Sequence, residues 1–188
     1  MATAVGVAVV GTAVILGISN VIPGVSLPAP TAEPGGLAVR TYGNPMIDAC
    51  IAWTPEWRQC ESPAANGQGN ARSVAQVQSI ISHGGEAGGK RFLSAKGVEA
   101  LFAEQMSGQD LVLGGPMKFG MGYGLNSAFS PLSPNPRTCF WGGWGGSLVV
   151  NDLDVELTYA YVMNRMGNGT TGDKRSARPM FATFAAIR

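Results

Sequence analysis

The sequence of 188 residues has few charged side chains and a single histidine. Charged residues make up 13% of the chain, where about 25% is usual for a soluble domain, and the formal net charge is +1. Because no basic field is present, we expect no nucleic-acid partner. His83 precedes two glycines, which is typical of a cationic cap at a helix end, and a Ser-His-Asp arrangement exists only if this residue serves in it.

Cysteine is also scarce. Cys50, Cys60 and Cys139 are an odd number, so they cannot form a closed set of disulfides. Their spacing fits no zinc motif, and one histidine cannot complete one. We therefore expect ordinary thiols, no metal and no other cofactor.

Charge is missing altogether from residues 1–32, and residues 4–17 form one apolar run. A membrane-spanning helix needs about 20 residues, so the length favours a signal-peptide core, although no Lys or Arg precedes the run. A signal or anchor in residues 1–22, a buried segment of a cytoplasmic protein, and a stretch unrelated to the fold all stay open. Four prolines then predict an extended linker: Pro23, Pro28, Pro30 and Pro34.

Periodicity predicts two helices in the middle of the chain. The first covers residues 70–82, with Asn70 as N-cap and the pair Gly84-Gly85 as its end. The second starts after Ser94 as N-cap and runs through Glu104. The apolar face of the first helix is predicted to hold Ala71, Val74, Val77, Ile80 and Ile81.

The C-terminal third predicts strands and a closing helix. Residues 118–125 are expected to form one glycine-rich strand, and 147–151 to pair with 157–164 as a hairpin across 152–156. The acids of this connection, Asp152, Asp154 and Glu156, are predicted to form a solvated tip rather than a metal site. The closing helix is expected at 176–187, with Pro179 in its first turn.

Glycine, in contrast, is abundant, and it concentrates with two tryptophans in residues 138–152, TCFWGGWGGSLVVND. Backbone N–H groups left uncovered by glycine beside aromatic walls suit an acyl-binding cleft. Asn66 and Arg72 are weaker candidates. Asn66-Gly67 suits a turn with positive φ, and Arg72 could pair with a carboxylate, so both are expected to be structural.

From residue 44 onward the chain resembles the β-lactamase-related family that includes class C β-lactamases and family VIII carboxylesterases. The segments that carry the resemblance follow in the family's order: NPMIDA (44–49), TPEWR (54–58), PAANGQGNARSVAQV (63–77), the glycine-rich turn at 84–94, KFGMGYGLN (118–126) and FWGGWGGSLVV (140–150). The resemblance implies an α+β fold, the C-terminal part of a β-lactamase/transpeptidase-like domain whose antiparallel sheet has flanking helices. Residues 1–43 are then an atypical N-terminal segment, and 44–188 are the family domain.

The family's nucleophile is a serine in Ser-x-x-Lys, and no serine of this sequence has lysine three positions later. Ser94-Ala95-Lys96 is one residue short. A second family motif, Tyr-x-Asn, is matched in letters by Tyr42-Gly43-Asn44, but its place directly before residues 44–49 indicates coincidence. No catalytic residue is therefore assigned.

The third family motif is Lys-Thr-Gly in lactamases and often Trp-Gly-Gly in the esterases. We assign it to Trp141-Gly142-Gly143, which would line the substrate pocket, with the Trp144 backbone N–H donating to the oxyanion. The second copy, Trp144-Gly145-Gly146, leaves the register open.

The sequence thus predicts a serine β-lactamase-like hydrolase or carboxylesterase without its nucleophile, either a truncated gene product or a non-catalytic relative. The alternative is a secreted or membrane-anchored module that uses the Trp/Gly cleft for a ligand. The expected partners are a small ester or lactam, and either a second copy or an N-terminal fragment that completes the sheet.

Overall fold

The computed structural model describes residues 34–43, 48–63, 65–167 and 174–187, so the apolar run at 4–17 lies outside the described part. Within that part, no helix has both the length and the hydrophobicity to cross a membrane. The helices are α1 Leu37–Tyr42, a 3₁₀ helix Ala49–Trp53, α2 Pro55–Gln59, α3 Ala71–Ser82, α4 Ala95–Phe102 and α5 Lys174–Ala186. The strands are β1 Glu86–Ala87, β2 Lys90–Arg91, β3 Met106–Gln109, β4 Pro116–Phe119, β5 Gly124–Leu125, β6 Thr138–Gly142, β7 Leu148–Asp152 and β8 Leu157–Tyr161.

Strands β3 to β8 form one antiparallel sheet in which the order in space equals the order in sequence. The predicted hairpin is confirmed, since β7 pairs with β8 from Leu148↔Tyr161 to Asp152↔Leu157. Its second strand ends at Tyr161, three residues earlier than predicted. The mixed helices and antiparallel sheet confirm the α+β class.

Helices cover both faces of this sheet. On one face α5 places Met180 and Phe184 against Phe140 and Val150 of the central strands. On the other face Ile81 of α3 packs in a cluster with Tyr123, Leu125, Cys139 and Trp141. Alternation along β6 separates the two sets, because successive side chains of a strand point to opposite faces.

Helix α3 confirms the predicted element and corrects its inner face. Asn70 Oδ1 accepts from Ser73 N–H at 3.0 Å, and Ser73 Oγ accepts from Asn70 N–H at 3.0 Å, so a capping box starts the helix. His83 is the C-cap residue, and Gly84 and Gly85 follow with φ of 64° and 98°. Val77, predicted to be on the packed side, is 58% exposed, and Gln78 faces the sheet instead.

Three further predictions on the elements need correction. Helix α4 starts at its Ser94 cap as predicted but ends at Phe102, two residues before Glu104. Residues 118–125 are not one strand, because the chain turns between Phe119 and Gly124, which pair with each other. Pro179 lies six residues into α5 rather than in the first turn, because the helix begins at Lys174.

The hairpin tip is less solvated than the run of acids suggested. Asp152 is fully buried, because it is the last residue of β7 and not part of the turn. One carboxylate oxygen accepts from Ser133 Oγ at 2.5 Å and Asn135 Nδ2 at 2.9 Å. The other accepts from the N–H groups of Asp154 and Val155 at 3.0 and 3.3 Å, so this carboxylate binds a loop to the turn.

Candidate functional site

The predicted motif lies where β6 ends and its turn to β7 begins. Trp141 and Gly142 are the last residues of β6 and pair with Val149 and Leu148. Gly143 then starts a glycine-rich turn that returns the chain to Leu148. The first copy of the doubled motif therefore covers the last two residues of β6 and the first residue of the turn, and the second copy lies within the turn.

Two hydrogen bonds inside the turn fix its shape. Gly143 N–H donates to Ser147 O at 2.9 Å, and Gly146 N–H donates to Gly143 O at 3.1 Å. Gly145 and Gly146 have φ of +96° and +116°, a region that residues with a Cβ rarely adopt. An added Cβ on Gly145 would also lie 2.8 Å from Met163 Cε, so glycine is required at this position.

The same turn leaves two successive N–H groups unused. Neither Trp144 N–H nor Gly145 N–H donates to any residue in the described ranges, while both neighbours, Gly143 and Gly146, are paired. Successive unpaired N–H groups in a turn form a concave partial positive charge that binds anionic oxygen. A buried N–H without an acceptor is rare in folded proteins, so this pair is a candidate oxyanion site.

The Trp141 side chain points to the face that carries α3. It is 7% exposed, and its ring centroid lies 5.5 Å from that of Phe119. Its indole Nε1–H is buried and donates to no atom of the described residues. A large apolar wall with one unused donor is the composition of a pocket lining, although Trp141 itself is covered in this structure.

Trp144 has a different role from Trp141. Its side chain is 1% exposed and packs with Met163 and Met166 against the 3₁₀ helix at Ala49 and Ala52. Burial of an aromatic side chain of this size contributes on the order of 3 kcal/mol. The indole therefore anchors the turn, and its Nε1–H, like that of Trp141, is buried without an acceptor among the described residues.

A polar side-chain network between α3 and the sheet was not predicted from the sequence. Gln78 Oε1 accepts from Tyr123 Oη–H at 3.0 Å and from Asn151 Nδ2–H at 2.8 Å. Asn151 Oδ1 accepts from the Thr158 hydroxyl at 3.0 Å, and Thr158 Oγ1 lies 2.8 Å from Ser82 Oγ. The one available signal was a glutamine at helical spacing among apolar residues.

Burial of this region raises the pKa of two side chains, a tyrosine and a cysteine. Burial raises the pKa of Tyr123 to about 12. Burial likewise raises the pKa of the Cys139 thiol to about 12. Both groups are therefore neutral and structural at physiological pH.

The weaker candidates do not converge on the motif. Tyr42 ends α1 and is buried, and burial together with the charge of Asp110 raises its pKa, which is the wrong direction for a proton acceptor. Asn44, the last residue of that triplet, lies outside the described residues. Arg72 is exposed and forms no ion pair with a described residue, contrary to the prediction.

Asn66 holds a loop by its side chain. Its Nδ2 donates to Trp57 O at 3.2 Å and also to Cys60 O, so it closes the chain after α2. The predicted turn with positive φ is wrong, because neither Asn66 nor Gly67 has a positive φ. The amide side chain bridges the two carbonyls, so the backbone need not turn to reach them.

An open cleft of about 310 Å³ lies at the opposite end of the sheet from the motif. It is bounded by the end of α3 at His83, the start of α4 at Ala95, and the hairpin tip at Leu153 and Glu156. Arg137, which also lines this cleft, pairs with Glu99 across it. Trp141 and Trp144 are not among its lining residues.

With this geometry in place, comparison with known proteins identifies the family. Residues 23–182 match the family model described as Beta-lactamase. A family VIII carboxylesterase of known structure has a TM-score of 0.74 and 37% identity, over 79% of this chain and 40% of that chain. The chain belongs to the beta-lactamase family.

Two further relatives agree. A penicillin-binding protein homolog from Caulobacter crescentus has a TM-score of 0.67 and 35% identity, over 71% of this chain and 36% of that one. The esterase/beta-lactamase LipL of Mycobacterium tuberculosis (strain ATCC 25618 / H37Rv) is 31% identical over 137 residues, which are 71% of this chain and 28% of LipL. The chain thus spans well under half the length of the relatives it matches.

Proposed function

We propose that these residues supply the oxyanion-binding and pocket-lining part of a serine hydrolase site for a small ester or lactam. The observation that carries the proposal is the Trp144 N–H, which has no acceptor among the described residues and follows the β6 end at Gly142 and the first turn residue, Gly143. When an acyl group is attacked, negative charge develops on its carbonyl oxygen. A fixed donor at that oxygen lowers the barrier by about 2.7–4 kcal/mol in comparable sites.

The pocket wall in this proposal is the β6 strand end. Trp141, which is 7% exposed in this structure, would back the pocket with its aromatic ring, and its buried indole N–H has no acceptor among the described residues. Gly142 and Gly143 have no side chain, so substrate backbone or a lactam ring can approach the strand closely. The relatives include a carboxylesterase and an esterase/beta-lactamase, which supports ester or lactam as the substrate class.

We further propose that the 188 residues are catalytically incomplete by themselves. A serine hydroxyl needs an adjacent base to become a nucleophile, and no serine here is followed by lysine at the third position. The motif then acts only with a Ser-x-x-Lys segment supplied from elsewhere, or it remains in a non-catalytic relative. The matches give no support to the alternative of a ligand-binding module.

A first experiment tests the incompleteness. The purified chain is assayed with a chromogenic cephalosporin and a p-nitrophenyl ester, and it is treated with a fluorophosphonate probe. We expect no hydrolysis above background and no labelled serine. An adduct mapped to any serine of the chain would contradict the proposal.

A second experiment tests the donor itself. The chain is combined with the N-terminal part of a family VIII carboxylesterase that carries Ser-x-x-Lys, and ester hydrolysis is measured. Replacement of the Gly143–Trp144 amide by an ester, by means of the hydroxy-acid analogue of tryptophan, removes this N–H and also weakens the Gly143 carbonyl as the acceptor for Gly146 N–H. We expect a decrease in kcat of about 10²–10³-fold. The same replacement at Val149, a strand residue of β7, is the control, and equal effects at both positions would refute the oxyanion role of Trp144.

A further inference from the structure

We propose that Arg175 is a positioning residue for the oxyanion-binding turn, acting on Trp144 N–H through two peptide groups. The inference rests on the role proposed above for Trp144 and adds the residue that holds and polarises it. Arg175 is the second residue of α5, thirty positions further along the chain than the carbonyl it binds in the turn.

The contact starts at the guanidinium. Arg175 Nη2 donates to Gly145 O at 2.8 Å, and Nη1 donates to Arg165 O at 2.6 Å. Gly167 N–H also donates to Gly145 O, at 2.8 Å. Both lone pairs of the Gly145 carbonyl are thus engaged, one of them by a full positive charge.

The effect then passes through the turn. The carbonyl of Gly145 and the N–H of Gly146 belong to one peptide group, and this N–H donates to Gly143 O at 3.1 Å. The carbonyl of Gly143 and the N–H of Trp144 belong to the next peptide group. Arg175 is therefore joined to Trp144 N–H by two hydrogen bonds in series, and this N–H is the unpaired end of the series.

Hydrogen bonds in series strengthen one another. A donor at one end of a peptide group draws electron density from its carbonyl and makes the N–H at the other end a better donor, by about 10–30% per bond. A charged donor at the start gives the largest effect, because charge-assisted hydrogen bonds are about twice as strong as neutral ones. The positive charge of Arg175 thus reaches the oxyanion donor while the guanidinium itself stays outside the pocket.

Arginine fits this position better than lysine does. Its planar fork reaches Gly145 O and Arg165 O at once, which a single ammonium cannot do with the same geometry. The first turn of α5 is a region of partial positive charge that disfavours a cation. The two carbonyl acceptors offset that cost, so the same hydrogen bonds stabilise both the arginine at this position and the turn that it contacts.

The test reads the turn by NMR in the intact 188-residue chain, without any activity. Arg175→Met removes the charge, Arg175→Lys retains it without the fork, and Arg178→Met is the control on the same helix, at an exposed position. We expect amide exchange of Gly146 to become at least tenfold faster in Arg175→Met, and the Trp144 amide nitrogen to move upfield. Arg175→Lys should give a smaller change in the same direction, and Arg178→Met none.

Unchanged Gly146 exchange and an unchanged Trp144 shift in Arg175→Met would overturn the proposal. If that variant does not fold, the lysine variant decides by the same two signals. Because the measurement needs no substrate, it fails or succeeds independently of the hydrolysis experiments, which test whether Trp144 N–H binds an oxyanion at all.

Discussion

Gln78 offers the sharpest test of how α3 is attached to the sheet. Its side-chain oxygen is the common acceptor for Tyr123 Oη–H and Asn151 Nδ2–H, at 3.0 and 2.8 Å. Gln78→Leu keeps the side-chain volume, leaves the Tyr123 hydroxyl without its acceptor, and leaves Asn151 Nδ2 with only its weak contact to Cys139 Sγ at 4.0 Å. Each stranded donor costs about 1–3 kcal/mol, and we expect a loss of about 2–4 kcal/mol in the free energy of unfolding.

The assay is thermal and urea unfolding followed by circular dichroism. For a chain of this size, about 3 kcal/mol corresponds to a decrease in Tm of roughly 6–12 °C. Gln76→Leu is the matched control, because Gln76 lies two residues earlier on the exposed side of the same helix. We expect the control to change stability by less than about 0.5 kcal/mol.

A double variant then assigns the cause. Tyr123→Phe removes one of the two stranded donors, so Gln78→Leu should cost about 1–1.5 kcal/mol less in that background. Equal losses for Gln78→Leu and Gln76→Leu, or a cost of Gln78→Leu that is independent of residue 123, would refute the reasoning.

Three further predictions concern the turn, the thiols and the sheet edge. Gly145→Ala should lower the free energy of unfolding by about 2–4 kcal/mol, because the residue has a positive φ and its Cβ would collide with methionine side chains. Gly84→Ala should lower it by about 1 kcal/mol, because that residue has a positive φ but open space around it. Equal losses in urea unfolding would contradict this expectation. Because the pKa of Cys139 is raised from its ordinary value of 9.0 to about 12, the thiol contributes its full stabilisation below pH 9 and loses it as pH rises toward about 12. Cys139→Ala should therefore flatten the decrease in Tm that begins near pH 9. An unchanged dependence of Tm on pH in this variant would contradict the prediction. The edge of β8, Leu157–Tyr161, has no hydrogen-bonded neighbour beyond β7 among the described residues and carries no charge, so light scattering should show concentration-dependent association that an N-terminal fragment of a relative suppresses. A monomer at every concentration, with no response to the fragment, would contradict that expectation.

The sheet edge at which association is predicted is that of β8, and residues 118–125 do not lie at an edge. Residues 118–125, predicted as one strand, span the end of β4 and all of β5, and both strands lie inside the sheet with neighbours on both sides. The alternating glycines at 120, 122 and 124, predicted to lie within one strand, instead lie in or next to a tight reversal between two short strands. Gly122 has a φ of +79°, a left-handed backbone conformation that allows the chain to reverse there.

Sequence patterns predicted the elements that have strong local signals. The Asn70 and Ser94 caps, the β7–β8 hairpin and the closing helix depend on side chains close to their own backbone, so single-sequence reasoning is adequate. The family placement likewise rested on several ordered segments, and residues 23–182 match the family model.

The predictions that were wrong concern residues whose partners are distant in sequence. Val77 was assigned to the packed side because it is apolar, but the opposing strands offer Asn151 and Thr158, so the polar Gln78 fits better. Asp152 was assigned to solvent because acids alternate there, but Ser133 and Asn135 lie across from it. No periodicity reports such long-range pairing, and the same holds for the contact of Arg175 with the motif turn.

The sheet order described above has a consequence for how the chain acquires its structure. Each of the strands β3 to β8 is hydrogen-bonded to the strand that immediately precedes or follows it in the sequence. Every pairing therefore closes only a short loop, and proteins with such local contacts fold faster than those with distant pairings. On a ribosome this sheet can assemble strand by strand as it emerges, beginning with β3–β4, and α5 is added last to cover the face that holds Phe140 and Val150.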